Sequence, residues 1–356
     1  MSRLKQKLRG RLTVQKVSSM RLDEAVIGLH FTHASQLAAL TAAGSVWLTA
    51  TTPMEPRRLG GHHQGGLALD AEPGGMRLAS GGQDGLLRVW DVVEGQQIAA
   101  VQTGTAWVER VAWQPEGSRI ATTAGRRVGV WNADGLLLGL SDDHASTVAD
   151  LAWKPDGTQI ATAAYGGAAY LAADAAGPHN AAILKGSSLV LAWQPQGRYL
   201  AVGNQDETVL FVTAETGETL QMWGFPSKVL AMAWSGDGRL LATAAGPGVI
   251  LWDTSGRGPK GRVPAVLAGH TGVVTTLAWQ PQGPILASGG SDGRVCLSTP
   301  ASHVRDGPRA DGEPTTIDPE ASIPLNDDVT AVCWSTGGRL LAVGDRGGVV
   351  SVYRFG

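Results

Sequence analysis

The sequence has few of the features that mark membrane, secreted or disulfide-rich proteins. Only two cysteines, Cys296 and Cys333, occur in 356 residues, which is too few for a disulfide framework. No apolar run approaches the ~20 residues that cross a bilayer, and no apolar segment of a secretory signal follows the basic N-terminus. We therefore expect a soluble cytoplasmic protein in which both cysteines are small buried apolar side chains.

Charge is scarce and unevenly placed along the chain. The net charge is −2, yet residues 1–21 contain seven basic side chains and no acidic one, so the remaining 22 basic and 31 acidic residues sum to −9. Such a basic leader predicts a solvated tail, a docking site for an acidic protein, or contact with nucleic acid or an anionic membrane surface. No aromatic residue lies among its cations, which weighs against single-stranded nucleic acid.

Tryptophan, by contrast, is abundant, with twelve copies against four phenylalanines and four tyrosines. Half of these tryptophans end the same short phrase, an apolar residue followed by Ala or Cys and then Trp. The six are Trp113, Trp153, Trp193, Trp234, Trp279 and Trp334. Degenerate copies place Phe31 and Ala71 in the same register. The sequence therefore consists of eight repeats of about 40 residues.

Each repeat predicts four short strands. An apolar strand ends at the Trp, a turn of the Pro-x-Gly or Gly-Asp-Gly type follows, and a strand of small residues such as Ile-Ala-Thr comes next. A Gly/Asp turn then leads to a third strand such as 87–90, and a more polar strand ends the unit. Four strands repeated at this period are typical of a propeller blade.

These residues resemble the WD40-repeat family over residues 21–356. The second unit carries the best match, with Gly61-His62, Ser80, Asp84 and Trp90-Asp91. The resemblance implies that His62, Ser80, Asp84 and Trp90 form a hydrogen-bonded network that ties an outer turn to the inner strands.

Other units keep only parts of this network. His270, Ser288 and Asp292 repeat its spacing in the seventh unit, where Ser298 replaces the Trp. In the fourth unit His144 is followed by Thr162 but not by the Asp. The assignment therefore depends on the period of the repeat more than on the complete network.

The predicted fold is all-β, a WD40-like propeller with eight four-stranded blades, or seven if the Phe31 unit is irregular. The chain ends after the third strand of its last unit, so we expect residues 11–17 to complete that blade, since unpaired sheet edges invite aggregation. The expected organisation is a basic tail over 1–10, a single domain over 11–356, and an insertion loop at about 299–323. Part of this insertion should form the outer strand of the seventh blade, and the rest a surface loop.

The sequence shows no constellation that carries chemistry. The adjacent histidines His62 and His63 point apart on a strand or turn, and neither HExxH nor CxxC spacing occurs. A nucleophile elbow and a phosphate-binding loop are also missing. We therefore predict no catalytic residue, metal or cofactor, with an enzyme whose carboxylates converge in the channel as an alternative.

The predicted function is a non-catalytic scaffold that binds one or more proteins. Large aromatic residues and arginine dominate binding hot spots, so the candidates on the face that carries the histidine turns are Trp107, Arg126, Arg127, Trp223 and Phe225. For Trp107 we favour burial against neighbouring strands. An anionic partner bound through the basic N-terminus is the alternative. The alanine- and arginine-rich composition favours a bacterial origin.

Overall fold

The computed structural model describes residues 12–32, 36–174, 180–184, 186–256, 258–300 and 314–355, which fold into eight β-sheets arranged as a ring. Eight blades are therefore confirmed, and the seven-blade alternative is wrong because the Phe31 unit forms a sheet of its own. Within the part of the chain that is described, no helix is long and apolar enough to cross a membrane.

The strands follow one another in chain order and are, for the first half of the ring, β1 (Val14–Arg21), β2 (Val26–Phe31), β3 (Gln36–Thr41), β4 (Ser45–Ala50), β5 (Arg57–Gly61), β6 (Gly66–Ala71), β7 (Arg77–Gly82), β8 (Leu86–Asp91), β9 (Gln96–Gln102), β10 (Val108–Trp113), β11 (Arg119–Ala124), β12 (Arg127–Asn132), β13 (Leu137–Leu140), β14 (Val148–Trp153), β15 (Gln159–Ala164), β16 (Gly167–Ala172) and β17 (Asn180–Leu184).

The strands of the second half are β18 (Ser188–Trp193), β19 (Tyr199–Asn204), β20 (Val209–Thr213), β21 (Thr219–Met222), β22 (Ala231–Trp234), β23 (Leu240–Ala245), β24 (Gly248–Asp253), β25 (Ala265–Leu267), β26 (Val274–Trp279), β27 (Leu286–Gly290), β28 (Arg294–Ser298), β29 (Thr315–Ile317), β30 (Ala321–Pro324), β31 (Val329–Trp334), β32 (Leu340–Asp345) and β33 (Val349–Phe355).

We number the blades from the sheet that contains β2. Blades 1 to 5 take consecutive groups of four strands, from β2–β5 to β18–β21. Blade 6 contains β22–β25 and β29, blade 7 contains β26–β28 and β30, and blade 8 contains β31–β33 and β1. The first strands of neighbouring blades pack against one another around the central channel.

The antiparallel order of each sheet gives the ring two distinct faces. The connections between blades and the turns between second and third strands lie at one end of the strands, which we call the upper face. The turns between first and second strands and between third and fourth strands lie at the other end, the lower face. A lower turn such as 154–158 needs a left-handed residue, which Gly157 supplies with φ of 70°.

The hydrophobic core is divided among the seams between blades. Eight clusters of buried side chains exist, and each combines residues from two neighbouring blades. In the seam between blades 3 and 4, for example, Val128 and Val130 pack against Leu151 and Trp153. Because both surfaces of each sheet are covered by a neighbour, the second and third strands are apolar on both faces rather than alternating.

The N-terminal strand closes the ring, as predicted. Strand β1 pairs antiparallel with β33, from Val14 opposite Phe355 to Arg21 opposite Val349. The predicted bounds of 11–17 were wrong, because a bulge after Lys16 shifts the register and brings Val17 onto the core between blades 8 and 1. Strand β1 therefore continues to residue 21.

The side chains that begin the closing strand alternate as its register requires. Leu12 and Val14 pack against the core between blades 7 and 8. Thr13 and Gln15 are exposed on the other side. The basic tail over 1–10 lies outside the described residues.

The C-terminal end of the insertion forms two strands. Residues 301–313 lie outside the described residues, but β29 pairs parallel with β25 as a fifth strand of blade 6, and β30 is the fourth strand of blade 7. Strand β30 lies where the outer strand of blade 7 was expected, whereas β29 falls in the part of the insertion that was expected to be a loop. The physical reason is burial, because Ile317 packs with Ala265 and Leu267 against the seam between blades 6 and 7.

Candidate functional site

His62, in the connection between blades 1 and 2, lies at the centre of a chain of hydrogen bonds. Its Nδ1 is 2.8 Å from Asp84 Oδ1, and its Nε2 is 2.9 Å from Ser80 Oγ. Trp90 Nε1 donates to the same Ser80 oxygen at 2.9 Å. The structure thus brings the four residues of the second unit together and ties the upper connection to β7 and β8.

We call this network of four residues the corner of the blade. Its electrostatics favour a neutral His62 imidazole. Burial lowers the pKa of His62 below its ordinary value, although Asp84 opposes the shift. For Asp84 itself, burial raises the pKa, but hydrogen bonds from His62 and from backbone N–H groups outweigh it and leave the pKa lowered. A neutral His62 that donates from Nδ1 to Asp84 can accept the Ser80 hydroxyl at Nε2.

Sequence reasoning missed one member of this corner, Arg88. Its Nη2 lies 3.4 Å from Asp84 Oδ2, and its Nη1 donates to Gln97 Oε1 at 2.7 Å. Arg88 therefore extends the network from the upper turn to the outer strand β9. The only sequence signal is a basic residue four positions after the aspartate.

Blade 7 forms the same corner without the indole. His270 Nδ1 lies 3.1 Å from Asp292 Oδ1, and its Nε2 lies 2.9 Å from Ser288 Oγ. The backbone N–H of Thr271 also donates to Asp292 at 2.8 Å. At the Trp position, Ser298 is buried, so the corner lacks the indole hydrogen bond.

In blades 3, 4 and 6 the network is divided between separate pairs. His144 Nε2 lies 3.0 Å from Thr162 Oγ1 in blade 4. Indole hydrogen bonds join Trp131 to Thr122 in blade 3 at 2.9 Å and Trp252 to Thr243 in blade 6 at 3.3 Å. All of these groups hold a blade together, and none forms an open site.

The repeated Trp at the end of each first strand has a different role, which sequence reasoning also missed. We call the last residue of each first strand the anchor. In five of the six Trp anchors, the indole Nε1 donates across the seam to the carbonyl oxygen of the residue before the anchor of the preceding blade. The exception is Trp113, whose Nε1 has no hydrogen-bond partner among the described residues. The five bonds are Trp153 to Ala112, Trp193 to Ala152, Trp234 to Ala192, Trp279 to Ala233 and Trp334 to Ala278, at 3.0 to 3.3 Å. We call these bonds the seam clamps. Phe31 and Ala71 have no N–H in their side chains and cannot form them.

Two of the candidate partner-binding residues lie exposed on the upper face. Trp107 precedes β10 and is 51% exposed, so the favoured expectation that it is buried was wrong. Trp223 follows β21 and is 70% exposed, while its Nε1 donates to the carbonyl oxygen of Gln221. That bond satisfies the indole N–H and leaves the ring available for contact.

Phe225 is not on the surface, and its assignment as a partner-binding residue was wrong. It is 4% exposed and lies in the core between blades 5 and 6. Its ring centroid is 5.9 Å from that of Trp252. This side chain packs in the apolar seam because blade 6 has no histidine network in its corner.

Arg126 and Arg127 lie on the upper face with about half of each side chain exposed. Arg127 Nε contacts Asp143 Oδ1 at 2.5 Å, and Arg126 Nε donates to the backbone oxygen of His144 at 2.7 Å. Both guanidinium groups are therefore held in place by the connection between blades 3 and 4. A third upper-face aromatic, Tyr165, is 71% exposed in the turn between β15 and β16, and no feature of the sequence singled it out.

Two partly buried carboxylates on first strands link neighbouring blades. Asp70 accepts the backbone N–H of Trp113 at 2.7 Å, and Asp150 accepts that of Leu191 at 2.9 Å. Burial raises the pKa of both carboxyl groups. Arg110 Nε contacts Asp150 at 3.1 Å. Each carboxylate joins its first strand to that of the next blade, which is a structural role.

The groups that could carry metal or thiol chemistry are not assembled into a site. No group of three or more His, Cys, Asp or Glu side chains with metal-binding geometry occurs among the described residues. Cys296 and Cys333 are free thiols. Burial raises the pKa of both, that of Cys333 to about 12, so neither is a ready nucleophile.

The ring of eight sheets, the apolar seams between blades and the His–Ser–Asp networks at the upper face together define a β-propeller built from WD40-type blades. Family models agree with this class. The model described as "WD domain, G-beta repeat" matches residues 55–91, 137–171, 261–297 and 319–354, and that of the anaphase-promoting complex subunit 4 WD40 domain matches residues 180–235. The chain belongs to the WD40-repeat family.

Individual relatives are distant. The guanine nucleotide-binding protein subunit beta of Arabidopsis thaliana is 26% identical over 95% of this chain and 81% of its own length. Eukaryotic translation initiation factor 3 subunit I of Aspergillus terreus is 25% identical over 56% of this chain, which spans about half of that protein (52%). Cell division cycle 20.1, cofactor of APC complex, of Arabidopsis thaliana is 32% identical over 46% of this chain and 34% of its own length.

A solved structure shares the whole fold. The crystal structure of the computationally designed Ika8 protein has a TM-score of 0.78, with 20% sequence identity, and the match covers 96% of this chain and 99% of that one. At this identity the likeness shows the fold alone.

Proposed function

We propose that this protein is a non-catalytic scaffold that binds another protein through the upper face of blades 3 to 6. The observation that carries the proposal is the exposure of three large aromatic side chains on that face. Trp107, Tyr165 and Trp223 are 51%, 71% and 70% exposed. Aromatic side chains of this kind supply much of the binding energy of protein interfaces.

The positions of these aromatics support a single surface. They lie on the connection before blade 3, in a turn of blade 4 and on the connection before blade 6, next to strands that the seam cores hold in place. The ion pairs of Arg126 and Arg127 with Asp143 lie on blade 3 between the first two. An apolar centre with charged groups beside it is the usual composition of a protein interface.

The names of the relatives support a role in an assembly. One is named as a subunit of a guanine nucleotide-binding protein, another as a subunit of a translation initiation factor, and a third as a cofactor of a complex. We infer by analogy that this chain is likewise a component of a larger complex.

A non-catalytic role is also supported by the chemistry of the groups that an enzyme would use. The carboxylates of Asp70 and Asp150 are engaged with backbone N–H groups of the next blade. The raised pKa of the two thiols disfavours the reactive thiolate. We further propose a reducing compartment such as the cytoplasm, because both thiols are free; fractionation of the native cell tests this.

The experiment that tests the scaffold is quantitative affinity capture with the full-length protein. Proteins captured from the native cell are identified by mass spectrometry with the wild type, a Trp107→Ala/Trp223→Ala variant, and a Met76→Ala control. Met76 is 44% exposed on the lower face of blade 2. Specific partners should be lost from the double variant and kept by the control. Equal capture by all three proteins would contradict the upper-face assignment.

A further inference from the structure

A cleft of about 660 Å³ opens on the lower face where the ring closes, between blades 8 and 1. Blade 1 contributes Phe31 and Thr32 to its wall. Blade 8 contributes the lower turn that follows Trp334 and the end of β33, with Arg339, Arg354 and Phe355 among the lining residues.

The seam that holds this cleft lacks a clamp. In the five clamped seams an indole reaches the preceding blade, as Trp334 does to Ala278 at 3.1 Å. In the seam between blades 8 and 1 the anchor is Phe31, which is smaller and has no N–H. The blade 8 turn also carries glycine at Gly337, where an added Cβ would meet no atom within 4 Å.

The cleft is also unusual in its positive charge. The last residue of the third strand is Asp91 in blade 2 and Asp253 in blade 6, but the same register of blade 8 holds Arg354, opposite Leu340. Arg339 stands in the adjacent turn. Among the described residues, no carboxylate lines the cleft and neither guanidinium has an ion pair.

The seam between blades 6 and 7 provides the internal comparison. A smaller cleft of about 340 Å³ lies at the same place there, and it contains Arg239 at the position of Arg339. Arg239 Nε is 3.8 Å from Asp253, and Asp237 lies in the same turn. In blade 8 those two acidic positions hold Arg354 and Gly337. Arg239 therefore has acidic neighbours in the seam between blades 6 and 7. Its counterpart Arg339, in the seam between blades 8 and 1, has a second arginine beside it instead.

A buried polar group provides a third, independent observation. Thr32 lines the cleft and is 6% exposed, and its Oγ1 has no hydrogen-bond partner among the described residues. A buried hydroxyl without a partner is costly. A ligand that carries acceptor oxygens into the cleft would meet this donor and both guanidinium groups.

We propose that this cleft binds an acidic peptide segment in which carboxylates flank an aromatic or branched apolar side chain. The carboxylates would pair with Arg339 and Arg354, since arginine forms bidentate pairs with carboxylates. The apolar side chain would pack on Phe31. A peptide fits better than a small anion, because a cleft of this size with apolar walls has room for several side chains. This inference rests on the proposed function, because it names a second contact for a protein partner.

The test is selection of random dodecapeptides on phage against the full-length wild-type protein, followed by fluorescence anisotropy with the selected peptides. Three variants are compared: Arg354→Asp, which recreates the blade 6 arrangement; Arg339→Gln; and Arg239→Gln as the matched control. Far-UV circular dichroism and the melting temperature establish that each variant is folded.

We expect the selected peptides to carry two or more acidic residues beside an apolar one. Arg354→Asp should weaken their binding by at least about tenfold, the loss of one charge-assisted contact. Arg339→Gln should weaken it by a smaller factor, and Arg239→Gln should leave it unchanged. Peptides without acidic residues, or acidic peptides that bind all variants equally, would overturn the proposal. So would a melting temperature raised by inorganic phosphate through Arg354 when no peptide is selected, which would indicate a small-anion site.

The outcome separates this inference from the proposed function. Peptides that bind independently of Arg354 and are lost from Trp223→Ala would disprove the cleft and leave the upper-face scaffold intact. Acidic peptides lost from Arg354→Asp, together with native partners that Trp107→Ala/Trp223→Ala still captures, would support the cleft and disprove the upper face.

Discussion

The indole Nε1 of Trp153 in blade 4 donates a hydrogen bond of 3.0 Å to the carbonyl oxygen of Ala112 in blade 3. The same bond recurs at four further seams, so a single residue type joins six consecutive blades, from blade 3 to blade 8. A propeller blade is an independent sheet, and its contacts with the two neighbours are what make the ring one folding unit. The repeated Trp therefore contributes both apolar area and a directional bond to ring stability.

Replacing Trp153 by Phe should lower the free energy of unfolding by about 1–2 kcal/mol, because the buried Ala112 oxygen loses its donor. Urea unfolding followed by circular dichroism measures the change. Trp107→Phe is the control, since that side chain is 51% exposed and surface changes usually cost less than about 0.5 kcal/mol. Equal losses in the two variants would show that the seam clamp has no special role.

Asp84→Ala should destabilise the protein by about 1–3 kcal/mol, because it removes the partner of a buried imidazole. Asp206→Ala should cost clearly less. Asp206 is exposed and, among the described residues, accepts the Thr208 hydroxyl at 2.7 Å, and Leu184 takes the sequence position of the network histidine. The melting temperatures of both variants measure these losses. Similar decreases in melting temperature would argue against a special role for the blade 2 network.

Stability should fall as the pH is lowered from about 7.5 to 5.5, in part through His62. Burial lowers the pKa of this imidazole in the folded state, so the unfolded chain takes up a proton first, near its ordinary value of about 6.5. Protonation then favours unfolding. The lowered pKa of Asp84 has its effect only below about pH 4, so it does not contribute in this range.

Unfolding free energies measured across that range with His62→Gln should show a shallower pH dependence than the wild type. His63→Gln, at the exposed neighbouring position, is the control. A His62→Gln variant whose pH dependence equals that of the wild type would exclude this imidazole as the source.

Two truncations distinguish the contribution of the basic residues 1–10 from the role of β1 in ring closure. Deletion of residues 1–10 removes four cations and leaves β1 intact, so the melting temperature should stay unchanged. Deletion of residues 1–21 also removes the partner of β33 and leaves open sheet edges, which should lower the melting temperature and the solubility together. Differential scanning fluorimetry and light scattering measure both effects. An unchanged melting temperature in the longer deletion would mean that β1 is dispensable for closure.

The same truncations test whether the leader has a function of its own. Salt-sensitive retention on immobilised nucleic acid or on anionic vesicles, lost when residues 1–10 are deleted, would support the alternative of an anionic partner. Retention that does not change would leave the leader as a solvated tail.

The sequence by itself determined the fold. Six Trp anchors, with Phe31 and Ala71 in the same register, predict eight blades, since each blade must bury the same pattern of side chains against the next one, and the structure decided between eight and seven. Ring closure followed as well, because a last unit with three strands needs an edge from elsewhere. The resemblance to the WD40-repeat family also implied the pairing of His62 with Asp84, which the structure shows.

Only the tertiary structure decided which side chains are buried and which charges are neutralised. Trp223 and Phe225 are two residues apart, yet one is 70% exposed and the other 4%, because the connection passes from solvent into the seam between them. Likewise Arg239 and Arg339 occupy equivalent turns, but Asp253 lies beside the first and Arg354 beside the second. Burial and ion pairing depend on contacts between strands that are distant in the chain, and a local pattern does not specify them.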